Sequence, residues 1–116
     1  MIRIDNRFGT IEISQEYFRH LVGEAVSSCY GVVGMVRGPR KGLRAMFSRG
    51  PQVEDGVRVR NEGDRLVVDI HIEVVFGMNI SAIAKSIVNK VRYTVEEATG
   101  LTVKKVNVFV DGIQPE

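Results

Sequence analysis

The chain has 116 residues, 44% hydrophobic and 26% charged, with a net charge of +2 and one cysteine. That length fits a single domain, taken as residues 1–116, which can bury roughly two-thirds of its unfolded surface without a disulfide or metal staple. The totals exclude a disulfide scaffold and a globally basic binder of polyanions. No apolar run approaches the roughly 20 residues that span a bilayer, and the opening MIRIDNRFGTIEIS carries no apolar signal region, so the expected location is cytoplasmic, with any membrane association supplied by a partner.

Thr10 to Ile13 alternates and reads as a short strand. Ser14 stands where a helix N-cap would, with Glu16 in the first turn. Phe18, Leu21, Val22, Ala25, Val26 and Cys29 then form one stripe of 3.6-residue period, with Arg19, His20, Gly23, Glu24 and Ser27 opposite and Gly31 as the stop. Cys29 lies on the apolar stripe and reads as a small core residue. Val32 to Val36 is a second short strand.

Gly56 to Arg60 and Leu66 to Phe76 alternate on either side of Asn61-Glu62-Gly63-Asp64, the composition of a hairpin turn. In the second strand Leu66, Val68, Ile70, Ile72, Val74 and Phe76 are expected to face the core, and Val67, Asp69, His71, Glu73 and Val75 to face away. Asn79 or Ser81 can cap a second helix, whose stripe is Ile80, Ile83, Ala84, Ile87, Val88, Val91, Val95 and Ala98, closed by Gly100. Thr102 to Asp111 is a last strand with Val106, Val108 and Val110 on one face, and Gly112 to Glu116 is expected to fray. The order β-α-β-β-β-α-β, with one-sided helices and a one-sided long strand, predicts an α+β two-layer sandwich: two helices on one face of a mixed, five-stranded sheet.

Between the second and third strands lies a long basic loop, at about 37–55. Arg37, Arg40, Lys41, Arg44 and Arg49 are five of the sixteen basic residues; the other 11 against 14 acidic residues leave −3, so the positive field is local. A loop this long in a small domain is either functional or mobile. In the functional reading its arginines hold an anionic partner through their planar forks, with Met46 and Phe47 as an apolar anchor; in the other its charges only keep a sheet edge soluble.

Catalytic signals are sparse. Asp69, His71 and Glu73 share a face at i, i+2, i+4 but spread over about 6–7 Å of strand, which favours a solvated or partner-facing surface over a convergent metal set. No spacing suggests an activated nucleophile. Gly31-Val32-Val33-Gly34 matches the bare GxxG of KH domains, but that clamp is an exposed turn and the two valines argue for burial.

The segments GTIEIS, GVVGM, DGVRV, VVFGMNI and ATGLTVKKVNVFVDGI occur in an order that resembles the alkaline-shock-protein, or envelope stress response, family of Gram-positive bacteria, over Gly9 to Ile113. The resemblance implies a small cytoplasmic α/β domain without a catalytic motif or cofactor, linked to cell-envelope homeostasis and stress tolerance. It also implies protein partners such as a membrane-anchor protein or a kinase-like protein, and self-association. The chain resembles a short stand-alone member, and departs from the family in a middle loop richer in arginine. The expected function is therefore a non-catalytic protein-interaction module acting through oligomerisation and docking. The candidate partner-binding residues are Arg37, Arg40, Lys41, Arg44, Phe47 and Arg49 in the loop, and Arg58, Arg60, Asp69, His71 and Glu73 on the uncovered sheet face. Two alternatives remain: a nucleic-acid-binding domain using the loop, and a small-ligand or acyl-phosphate carrier or enzyme accessory subunit.

Overall fold

The computed structural model describes residues 1–29, 31–34 and 56–114. The loop candidates Arg37, Arg40, Lys41, Arg44, Phe47 and Arg49 lie outside the described residues. Strands β1 (Ile2–Asn6) and β2 (Gly9–Ile13) form a hairpin, followed by α1 (Gln15–Ser27) and β3 (Val32–Gly34). Then come β4 (Val57–Glu62), β5 (Arg65–Val75), α2 (Ile80–Thr99) and β6 (Thr102–Gln114).

The helix boundaries follow from their caps. The Ser14 hydroxyl accepts the Tyr17 N–H and the Asn79 side chain accepts the Ala82 N–H, each satisfying a donor the helix leaves orphaned. Gly100 takes φ +75° after α2, and its N–H bonds the Glu96 carbonyl. Gly63, at φ +66°, leads the two-residue turn between Glu62 and Arg65.

Strand β5 is the hub of a four-stranded sheet. β6 runs parallel along one edge, from Arg65↔Thr102 to Val75↔Gln114. β4 and β3 share the other edge, both antiparallel, against Arg65–Ile70 and Glu73–Val74 respectively. Leu66, Val68, Ile70 and Ile72 of β5 are fully buried, under Phe18, Val22 and Val26 of α1 and Ile83, Ile87, Val91 and Val95 of α2. Both helices thus cover one face of a mixed sheet, the two-layer α+β arrangement that the one-sided periodicities require.

Several local expectations are corrected. The strands do not form a single five-stranded layer: β2 pairs with β1, which sequence reading leaves unassigned although Ile2 and Ile4 alternate with polar residues, and the two make a separate sheet. The last strand does not end at Asp111, because Gly112, Ile113 and Gln114 pair with Glu73, Val74 and Val75. The second hairpin strand stops at Val75, whose N–H bonds the Gly31 carbonyl; the chain turns at Gly77 (φ +93°), and Phe76 stands 63% exposed rather than in the core. Ile80 and Ala98, at the ends of the α2 stripe, are exposed, since the apolar surface beneath does not extend past Ile83 and Val95. Gly23 is buried, not on the wet face of α1.

Candidate interaction surface on the open face of the sheet

The face of the sheet turned from the helices is built on β5. Arg58, Asp69 and Asn107 lie in one cross-strand row, Arg60, Val67 and Lys105 in the next, then His71 beside Phe109 and Glu73 beside Gly112. Alternation along each strand places them on this face, and the buried even-numbered residues of β5 fix its direction. Val67 faces this side, as its position in the alternation requires, yet is only 1% exposed. Its neighbours Arg60 and Lys105 carry long stems able to cover a small apolar side chain.

The polar groups engage one another across the strands. Asn107 Nδ2 donates to Asp69 Oδ1 at 2.8 Å, and Arg60 Nε lies 3.6 Å from Asp69 Oδ2. Arg60 also reaches Glu62 at 3.2 Å, and Lys104 Nζ reaches Glu62 from β6 at 2.9 Å. That hydrogen bond from Lys104, first, and its charge hold the Glu62 carboxyl below the usual carboxylate range. The His71 ring stacks on Phe109, with centroids 4.7 Å apart and planes 19° apart, while its Nδ1 lies 2.8 Å from Asp111 Oδ2. Phe109 itself stays 44% exposed.

Of the sequence candidates, Arg58, Arg60, Asp69, His71 and Glu73 do share this face. Asp69 and His71 are nonetheless drawn to different neighbours, and among the described residues no group of three or more His, Cys, Asp or Glu side chains is placed to hold a metal ion. Sequence reasoning misses Lys105, Asn107, Phe109 and Asp111. The signal for the first three is present, because placing Val106, Val108 and Val110 inward turns Lys105, Asn107 and Phe109 outward; what is absent is the parallel pairing that sets them beside β5. The GxxG candidate is part of strand β3 and its approach rather than an exposed clamp, and Val32 packs against the core.

Electrically the face is a mosaic. Arg58, Arg60 and Lys105 share it with Asp69, Glu73, Asp111 and the exposed Phe109 ring, so the described residues form no continuous positive track along it. A groove of about 350 Å³ between α1 and α2 is lined by Leu21, Glu24, Ala25, Ser28, Lys90 and Thr94.

Over residues 3–115 the sequence matches the model of the alkaline shock protein 23 family, described as having a cell envelope-related function. The chain belongs to that family. It is 36% identical over 115 residues to the uncharacterized protein YloU of Bacillus subtilis strain 168, covering 97% of this chain and 95% of that one. It is 29% identical over 110 residues to the uncharacterized protein YqhY of the same organism, covering 95% and 81%. The resemblance to the alkaline-shock proteins of Gram-positive bacteria therefore holds. Among solved structures, the MamM CTD superposes with a TM-score of 0.51 at 17% identity, covering 85% of this chain and 99% of that one, and a manganese form of that domain gives 0.50 at 18%. At such identity the likeness is one of fold. No described helix of this family member is long and apolar enough to cross a membrane.

Proposed function

We propose that this chain is a non-catalytic interaction module in cell-envelope homeostasis, which self-associates and docks a protein partner on the open face of its sheet from the cytoplasmic side. The observation that carries the reading is the exposed Phe109, stacked on His71 beside Asp111 on a face that carries charges of both signs, in a member of a cell envelope-related family. A rigid aromatic in a polar rim is the usual anchor of a protein interface. A membrane-anchor protein or a kinase-like protein fits the partner role, and the basic loop is a second contact for an anionic segment of it.

The test is cross-linked capture of partners from Gram-positive cells with the wild-type chain, with Phe109→Ala, and with Arg40, Lys41 and Arg44 all changed to Ser. A specific partner retained by wild type and lost from Phe109→Ala supports the face; loss from the triple variant assigns the loop. RNA captured in place of protein, with affinity falling steeply as salt rises, would replace the reading with a nucleic-acid-binding one.

A further inference from the structure

We propose that the outer edge of β6 pairs antiparallel with β6 of a second copy, about a two-fold axis at Val108, so that one sheet runs through both copies. The proposal rests on the self-association read above and names its surface and register.

The two edges of the sheet are treated differently. On β4 the Gln15 side-chain amide acts as a substitute strand: its Oε1 accepts the Val59 N–H at 3.0 Å and its Nε2 donates to the Val59 carbonyl. Asn61 Nδ2 then donates to the Arg3 carbonyl of β1 at 3.3 Å. Nothing comparable guards β6 among the described residues. Its 13 residues pair with β5 alone among the described strands. A long unguarded edge is a template for another strand.

The sequence of that edge complements itself in one register. Its regular stretch, Lys105–Val110, lies between two register shifts. Strands paired antiparallel keep facing side chains on the same side. An axis at Val108 sets Val106 against the second copy's Val110, Asn107 against its Phe109, and Lys105 against its Asp111. An axis at Asn107 would face Lys105 with Phe109, and one at Phe109 would face Lys105 with Ile113, so neither pairs the charge. Asp111 lies on the same open face as Lys105, as its contact with His71 shows. The apolar row also lacks an outer neighbour: Val106, Val108 and Val110 are only partly buried, whereas Ile70 and Ile72 beside them on β5 are fully buried. Edge lysines usually discourage pairing. Here Lys104 is held by Glu62, Lys105 gains an opposite charge, and Val106–Val110 carries none.

The experiment is light scattering across a dilution series for wild type, Lys105→Asp, Asp111→Lys and the double swap, with melting temperature as the control for folding. Within one copy positions 105 and 111 stand about 20 Å apart, beyond direct interaction in ordinary salt, so any rescue arises between copies. The expected result is a dimer weakened about tenfold by each single change and recovered in the double swap, since facing like charges oppose strand pairing. Val108→Cys should cross-link two copies under mild oxidant, while Arg58→Cys should not; Cys29 is buried, and wild type controls for it. A wild-type monomer at high concentration overturns both this pairing and the self-association it rests on. A dimer insensitive to the swaps, with no cross-link at Val108, overturns the pairing and leaves self-association standing through another surface.

Discussion

At the scale of single residues, Gly31 is the described glycine with least latitude. Its φ is +93°, and an added Cβ would stand 2.8 Å from Ile83 Cδ1, a core side chain on α2. Gly31→Ala combines left-handed backbone strain with an overpacked contact, and should cost about 2–4 kcal/mol, read as a lower urea midpoint at unchanged slope. Glu62 gives a second prediction. Its folded pKa is depressed by Lys104 first and then by Arg60 and Lys105, so its contribution to stability is present above the unfolded carboxylate pKa and is lost as pH falls through the folded one. Lys104→Met should bring the Glu62 titration back toward the ordinary carboxylate range in carboxyl-detected NMR and flatten that acid-side loss. Asp5 behaves alike, held down by Thr10 and then by Arg3, so the β1–β2 hairpin shares the same acid sensitivity.

At the scale of elements, the legible parts are those whose period is long. The 20 residues of α2 and the eleven alternating residues of β5 leave little choice of face, and the helix-covered and open sides follow from them. Short elements are less legible: the Thr10–Ile13 alternation shows β2, but β1 offers only two isoleucines in five residues, and its identity as a strand depends on β2 folding back onto it. Strand ends are not legible either, because they are set by partners rather than by the strand itself. β6 runs on through Gly112–Gln114 only because Glu73–Val75 lies alongside, and Phe76 is shed because pairing stops one residue earlier. The candidate site divides the same way. Arg58, Arg60, Asp69, His71 and Glu73 are visible as the wet half of an alternation, while Phe109 and Asp111 belong to a neighbour that periodicity does not name. Truncation after Asp111 follows as a prediction: it strips three ladder positions from β5 and opens one side of Val74, now 1% exposed. The expected loss is about 2 kcal/mol, with hydrogen exchange accelerated at Glu73–Val75 and little changed at Leu66–Ile70.

At the scale of the whole molecule, the proposed assembly would use the same strand layer that organises the fold. If two copies join through β6, the melting temperature should rise with protein concentration, because unfolding then separates the copies; a series spanning two decades by differential scanning calorimetry reads this directly. The hub position of β5 has a consequence for synthesis. β3 and β4 touch the sheet only through β5, and the apolar stripe of α1 is buried against the same core, so a nascent chain has no layer to build on until residue 75 has cleared the ribosome. The β4–β5 hairpin is local and closes at once, whereas β6 must wait for the whole of α2 to cross over before its parallel register can form. Until β5 is in place, Phe18, Val22 and Val26 lack the strand surface that buries them in the finished fold.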